Sequence, residues 1–154
     1  MKLSLFVFTA FVVAVLACNK DKFLTKPTIK IKSINSDFIP LNGTLLLSLE
    51  CTDKEGDVRD SVIIIKQRQN LRVRPTIRDT IRFPFPVFPV NTRTEIQVSL
   101  DYQNILSASN PPFIPGSNPP QRELDTLILR LAVRDKAGNT SDTINSPRII
   151  VFRQ

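Results

Sequence analysis

The segment DTLILRLAVR at residues 125–134 decides the fold class of this protein. Its apolar residues hold alternate positions, at Leu127, Leu129, Leu131 and Val133. Arginines 130 and 134 occupy intervening positions. Alternation with a period of two predicts a β-strand that has one face in the core and the other in water. No long stretch of the sequence shows the three- and four-residue spacing of an amphipathic helix.

Six further segments have the strand pattern. They lie near residues 29–32, 45–52, 61–66, 77–83, 95–102 and 149–152. A length of 154 residues is enough for one domain with a substantial core. About seven short strands without a helix predict an all-β fold, an antiparallel β-sandwich of two sheets.

Two turn regions carry a resemblance to a known class of domain. The stretches LECTDKEGDV (residues 49–58) and VRDKAGNTSD (residues 133–142) resemble an early loop and the last hairpin of bacterial immunoglobulin-like and cadherin-like domains. The resemblance implies an immunoglobulin-like sandwich over residues 28–154. The second cysteine and the core tryptophan of antibody domains are missing, so we expect Cys51 to be a buried apolar residue.

The N-terminus predicts export and a lipid anchor. Residues 3–17 form an apolar stretch that is too short to cross a bilayer as a helix, which takes about 20 residues. The sequence Val15-Leu16-Ala17-Cys18 resembles the lipobox of bacterial envelope lipoproteins. That resemblance implies a signal peptide at residues 1–17, cleavage before Cys18, lipid on the Cys18 thiol and a tether at residues 18–27. The alternatives are an ordinary cleaved signal and an uncleaved anchor.

These features predict a location in the bacterial cell envelope, on the outer membrane, with the membrane bound through the lipid on Cys18. The sequence has no histidine and no tryptophan. The lack of histidine excludes Ser-His-Asp and Cys-His catalysis and histidine-ligated zinc. We therefore expect no enzyme activity and no cofactor, with a hydrolase that uses loop carboxylates as the remote alternative. Nucleic acid is not an expected partner, since an exported protein does not meet it and stacking aromatic residues are few.

Acidic residues are concentrated in the two similar turn regions. If both lie at one end of the sandwich, their oxygen atoms could converge on calcium. Basic residues between them would neutralise such a site, and Asp side chains also form turns by accepting backbone hydrogen bonds. We expect turns and no metal, with calcium as the alternative. The five acids are Asp53, Glu55, Asp57, Asp135 and Asp142.

Basic residues recur at even positions between residues 66 and 82, and even positions share one face wherever the backbone is extended. Such a face could bind an anion or an acidic glycan. The alternative is a solvated outer face whose charges prevent edge-to-edge aggregation. The six residues are Lys66, Arg68, Arg72, Arg74, Arg78 and Arg82.

Two proline-rich segments interrupt the strand pattern. Residues 83–90 read FPFPVFPV, and residues 110–120 read NPPFIPGSNPP. A stiff extended segment loses little entropy on binding, so these segments are where we expect a protein partner. In the first segment the contact residues would be Phe83, Phe85, Val87 and Phe88. The predicted function is a non-catalytic binding or structural module for an envelope protein, with glycan or anion binding as the alternative.

Four tripeptides share the pattern Asp-(Ser/Thr)-apolar, and begin at residues 60, 79, 125 and 142. The pattern is similar to the acceptor site of an O-glycosylation system of some envelope bacteria. It is also what the start of a strand looks like after a turn, so both interpretations stay open.

Overall fold

The computed structural model describes residues 26–58, 60–70, 79–106 and 112–152. These ranges contain nine β-strands and one π-helical turn. The strands are β1 (Thr28–Ile34), β2 (Phe38–Ile39), β3 (Thr44–Thr52), β4 (Ser61–Arg68), β5 (Asp79–Pro84), β6 (Arg93–Asp101), β7 (Asp125–Arg134), β8 (Ile144–Asn145) and β9 (Ile149–Val151). The π-helical turn is Tyr102–Leu106.

The strands form two sheets in an all-β, sandwich-like arrangement. The first sheet has the order β1-β3-β6, and the second has the order β2-β9-β7-β4-β5, with β8 paired to β7. All pairs except one are antiparallel in the described ranges. The exception is β2, which runs parallel to β9. The second sheet is therefore mixed, and the prediction of a wholly antiparallel sandwich is wrong at this strand.

The inward faces of both sheets form one hydrophobic core. Strand β3 contributes its alternate residues, and β7 contributes the alternate residues from which the strand was predicted. Cys51 is part of this core, and burial together with the neighbouring Glu50 charge raises the pKa of its thiol to about 12. The expectation that Cys51 behaves as a small buried apolar residue is confirmed. The members of the core that are entirely inaccessible to solvent include Leu45, Leu47, Leu49, Leu129, Leu131 and Val133.

Short strand β2 arises because the backbone passes from one sheet to the other after β1. The Asn35 side chain fixes the exit by donating to the carbonyl of Thr44 (2.9 Å) and accepting from the amide of Leu46 (2.8 Å). The backbone then adds to β9, where the amide of Ile150 donates to the carbonyl of Asp37 (2.7 Å). A two-residue strand has no periodicity to detect, so this passage between sheets cannot be seen in the sequence pattern.

The turn before β3 requires both of its residues, Asn42 and Gly43. Asn42 adopts the left-handed conformation with φ of 59°, which asparagine tolerates better than most residues. Gly43 does not have a positive φ, but a Cβ there would lie 2.9 Å from Cδ of Pro40. Close approach of the backbone, and not backbone conformation, therefore selects glycine at position 43.

The two ends of the sandwich differ, and we name them by where the polypeptide enters. The entry end contains the start of β1 and residues 52–58, 60, 84–93 and 134–142. Backbone hydrogen bonds such as Asp53 to Thr92 (2.9 Å) and Asp60 to Arg134 (3.3 Å) connect these segments. The far end contains residues 34–44, 68–70, 101–106, 112–125 and 148–152. There the hydroxyl of Tyr102 donates to the carbonyl of Phe152 (3.0 Å) and joins the two sheets.

The predicted signal peptide, the lipobox, Cys18 and most of the tether lie outside the described residues. The same holds for Arg72, Arg74 and Arg78 of the predicted basic face and for residues 110–111 of the second proline segment. Within the described ranges no helix has the length and apolar character needed to cross a membrane.

Truncation of a core leucine tests the two-sheet packing. We expect Leu131→Ala to lower the free energy of unfolding by about 2–5 kcal/mol, because it opens a cavity between the sheets. Leu41→Ala, at an exposed leucine, should change it by less than about 0.5 kcal/mol. The protein has one tyrosine and no tryptophan, so fluorescence of buried Tyr102 reports denaturant unfolding. Equal effects of the two substitutions would contradict the packing described.

Candidate functional site

The acidic loop at residues 53–57 holds the entry end together. The amide of Asp53 donates to the carbonyl of Thr92 (2.9 Å), and the amide of Asn91 donates to that of Gly56 (3.4 Å). The amide of Lys136 donates to the carbonyl of Asp57 (3.2 Å). One loop therefore connects the segment before β6, in the first sheet, to the turn after β7, in the second.

Two carboxylates meet beneath this loop. Asp53 is 5% exposed, and its Oδ2 accepts a hydrogen bond from the amide of Asp57 (3.2 Å). The Oδ1 atoms of Asp53 and Asp57 are both buried and have no hydrogen-bond partner in the described ranges. A proton on Asp57 can be shared with Asp53, which raises the pKa of Asp57 to about 6. Burial and the charges of Asp135, Asp53 and Glu55 act in the same direction.

The other acids of the predicted calcium set do not complete a metal site. Asp135 is 1% exposed and accepts from the amide and the side-chain nitrogen of Asn139 (2.7 and 2.8 Å). Asp142 is exposed and pairs with Lys26 (2.5 Å), and Glu55 is exposed as well. Among the residues that the structure describes, no three acidic or cysteine side groups are arranged to hold one metal ion. Turn formation is confirmed at Asp53 and Asp135, whereas the five acids do not converge.

The predicted basic face is divided between the two sides of the second sheet. Lys66 is 5% exposed and follows Val62 and Ile64 on the inward face of β4. Arg82 is exposed and lies opposite Ile63, on the outward face. In this antiparallel pair each even-numbered residue of β4 is paired with an odd-numbered residue of β5, and paired residues point to the same side of the sheet. Even-numbered residues of the two strands therefore point to opposite sides. The prediction of one shared face is wrong for these residues.

Arg68 also serves a structural purpose. Its Nε donates to Oδ1 of Asp125 (2.5 Å), and Asp125 is inaccessible to solvent. A buried carboxylate without such a partner would be strongly unfavourable. The pair fixes the end of β4 to the start of β7. The Arg68 guanidinium therefore neutralises Asp125 and does not bind an external anion.

The first proline segment packs partly on the core. Phe83 and Phe85 are half-buried against it, and the rings of Phe85 and Phe88 meet edge to face with centroids 6.0 Å apart. Val87 is fully exposed. A cleft of about 280 Å³ lies between this segment and residues 96–99 of β6. Of the four predicted contact residues, three are therefore engaged within the domain and Val87 projects into solvent.

The second proline segment folds into a small hairpin over residues 112–124. Phe113 bridges to Arg122, and the Arg122 guanidinium lies 4.3 Å from the centre of the Phe113 ring. Ser117 closes the turn by donating to the carbonyl of Ile114 (2.8 Å). The hairpin carries Phe113 and Ile114 into solvent at the far end.

A far-end cleft of about 390 Å³ lies between this hairpin and the outward face of the second sheet. Asn70 builds its floor: its side-chain nitrogen donates to the carbonyl of Leu124 (2.9 Å), and its oxygen accepts from the amide of Thr126 (3.2 Å). Sequence reasoning missed this cleft, because its residues come from three separate segments. The lining residues are Gln69, Asn70, Ile114, Glu123, Leu124, Thr126 and Arg148.

Further exposed apolar residues lie at the far end, beside this cleft. Phe38 lies opposite Ile150 on the outward face, and its ring centroid is 6.4 Å from that of Phe152. Asp125 is paired with Val151 across the sheet. Leu124 directly precedes Asp125 and Phe152 directly follows Val151, so Leu124 and Phe152 lie beside this pair. We define the far-end apolar surface as Phe38, Leu41, Phe113, Ile114, Leu124 and Phe152, all exposed.

The four hydroxyls of the Asp-(Ser/Thr)-apolar tripeptides differ in accessibility. Ser61 is buried and donates to Asp60 (2.8 Å), and Thr126 is half-buried. Thr80 and Thr143 are exposed. Only two of the four could therefore be reached by an enzyme acting on the folded domain.

No family model matches this protein, and no curated protein matches it. Among solved structures, it is similar to a β-glucosidase from Listeria innocua in complex with gluconolactone, with 10% identity and a TM-score of 0.42. That likeness covers 82% of this protein and 16% of the glucosidase. A second similar structure is a Niemann-Pick type C2 protein from Japanese carpenter ant, with 12% identity and a TM-score of 0.38. This likeness covers 83% of the present protein and 90% of the Niemann-Pick type C2 protein.

The carboxyl pair predicts a pH-dependent stability. Because the folded-state pKa of Asp57 lies above its ordinary value of 3.8, the stabilisation is complete below that value and is lost as the pH rises through about 6. Asp57→Asn supplies a permanent hydrogen-bond donor to Asp53. We expect it to raise the melting temperature at pH 7.5 and to flatten the decline in melting temperature between pH 5 and pH 7.5.

Glu55→Gln is the matched control, since it removes an exposed acid from the same loop and keeps the Asp53–Asp57 contact. The Glu55 charge makes the smallest contribution to the raised pKa of Asp57, so we expect this variant to flatten the profile only slightly. The sequence has no histidine, so no imidazole titrates in this range. A wild-type melting temperature that does not fall between pH 5 and pH 7.5, or a Glu55→Gln profile as flat as that of Asp57→Asn, would contradict the shared proton.

Proposed function

We propose that this protein is a lipid-anchored lipoprotein of the bacterial outer membrane whose immunoglobulin-like domain binds a protein partner, without catalysis, through its far end. The lipid is attached to Cys18 after removal of residues 1–17. The partner contacts the far-end apolar surface and the cleft beside it.

The immunoglobulin-like assignment is supported by the strand order. The order β1-β3-β6 corresponds to strands A, B and E of that fold. The order β5-β4-β7-β9 corresponds to strands C′, C, F and G. The turn sequences at residues 49–58 and 133–142, which carry the resemblance to bacterial domains of this type, lie together at the entry end.

The orientation follows from the place where the polypeptide enters the domain. Pro27 is buried, and Lys26 is held by its ion pair with Asp142 at the entry end. A tether from Cys18 therefore reaches the domain at the entry end. The eight residue steps from Cys18 to Lys26 span at most about 29 Å when fully extended, so the entry end stays near the lipid. The far end is the end presented to other envelope components.

The exposed apolar surface carries the proposal. Eight large apolar side chains are exposed in the described ranges, and six of them lie at the far end. The other two, Val87 and Val90, lie at the entry end. Grouped exposed apolar residues with a polar rim are typical of protein interaction sites, whereas single ones are ordinary. The entry end instead presents acids, basic residues and prolines.

The proposed partner contact therefore lies at the second proline segment (residues 112–120) and not at the first (residues 83–90). Phe83, Phe85 and Phe88 are engaged within the domain, whereas Phe113 and Ile114 are presented on a hairpin fixed by its own hydrogen bonds. A pre-ordered hairpin loses little entropy when it binds. The alternative of a basic face has less support, since Lys66 is buried and Arg68 neutralises Asp125.

Photo-crosslinking in the native envelope tests the proposal. A benzoylphenylalanine at position 113 should give a discrete protein adduct, because this position lies within the proposed interface. The same residue at position 87 is the matched control, since Val87 is at least as exposed but lies at the entry end. We expect its adduct yield to be several-fold lower.

An adduct from position 87 without one from position 113 would overturn the far-end assignment. The lack of a protein adduct from either position would overturn the binding function itself. Labelling with a tagged fatty acid tests the anchor separately, because a Cys18→Ser variant should lose the label.

A further inference from the structure

We infer that the far-end cleft binds a carboxylate carried on an extended apolar peptide segment of the partner, with Arg148 as the residue that recognises it. This rests on the proposed function and names the chemistry of its partner. The recognised group is the side-chain carboxylate of an acidic residue that is flanked by apolar residues.

Arg148 is the first part of the site. It lines the cleft and is exposed on the outward face, next to inward-facing Ile149. Among the described residues its guanidinium forms no ion pair or hydrogen bond, in contrast to Arg68 and Arg93, whose guanidinium groups pair with carboxylates. Guanidinium groups bind carboxylates through two parallel hydrogen bonds, which gives directional recognition.

The remaining lining residues favour an apolar peptide around that carboxylate. Ile114 and Leu124 form apolar walls, and both are exposed. Gln69 adds a side-chain amide that makes no hydrogen bond within the described residues and can pair with a peptide backbone. The side-chain nitrogen of Asn70 donates to Oε2 of Glu123 (3.3 Å), so these two residues form the fixed floor of the cleft.

The charge of the cleft distinguishes a carboxylate from a phosphate. Arg148 is the arginine of the cleft lining, and it has no partner in the described ranges. Its guanidinium can neutralise a single negative charge. A phosphate monoester carries nearly two negative charges at neutral pH, so its second charge would stay unpaired beside the carboxylate of Glu123, whereas a carboxylate brings only the one charge that Arg148 pairs. A volume of about 390 Å³ is in the range of pockets for small groups and accommodates a few amino-acid side groups, not a folded domain.

Peptide selection tests this inference on the purified full-length protein. A random library of seven-residue peptides displayed on phage is selected against the wild type. We expect the recovered peptides to be enriched in an acidic residue next to apolar residues. The affinity of a recovered peptide is then measured by fluorescence anisotropy, before and after its acid is changed to the amide.

Arg148→Gln is the critical variant, and Arg82→Gln is its matched control. Both arginines are exposed on the outward face of the same sheet, and neither forms an ion pair in the described ranges, but Arg82 lies on β5, away from the cleft. We expect Arg148→Gln to weaken peptide binding about tenfold, as for the loss of one charge-assisted hydrogen-bonded pair. Arg82→Gln should leave binding within about twofold, as for a charge outside the contact.

Three results would overturn the inference: no recovered peptides, recovered peptides without an acid, or equal binding by the two variants. The crosslink at position 113 separates this failure from failure of the proposed function. An adduct that forms equally well in wild type and Arg148→Gln would preserve far-end binding and reject the carboxylate. The absence of any adduct would reject far-end binding itself.

Discussion

The burial of alternate residues on β3 and β7 is the constraint on which the rest of the structure depends. Leu47 and Leu49 from one sheet and Leu129 and Leu131 from the other are removed completely from water. Each buried leucine contributes about 1.5–3 kcal/mol, and one sheet alone could not bury this face. Once the sheets face each other, every loop must lie at one of two ends. The acidic loop at residues 53–57 and the far-end apolar surface lie at opposite ends of the sandwich.

Much of this fold can be predicted from the sequence because alternation is a local signal. The segments around β3, β4, β6 and β7 contain enough alternate apolar residues to identify both the strand and its buried face. Prediction fails where the outcome depends on pairing. Lys66 and Arg82 have the same parity in sequence, but antiparallel pairing places them on opposite faces. The two-residue strands β2 and β8 exist only because longer strands offer them an edge.

The candidate site is predictable to a smaller extent. Turn formation by Asp53 and Asp135 follows from short-range chemistry, and the hairpin at residues 112–124 overlaps a segment whose prolines already mark it as unusual. The raised pKa of Asp57 depends on its contact with Asp53 and on burial, which the sequence does not specify. Arg148 has no local signal, since an isolated arginine between proline and isoleucine is ordinary. The role that we propose for it is based on its lack of a partner among the described residues and on Ile114 and Leu124 beside it.

We propose that a partner binds at the far end, which lies opposite the point where the polypeptide enters the domain. Hydrogen–deuterium exchange tests it directly, by comparing amides of the protein in its native envelope with those of the purified protein. We expect slower exchange in the envelope for residues 112–124 and 148–152, with little change for residues 84–92. Protection confined to residues 84–92, or identical exchange in both preparations, would contradict it.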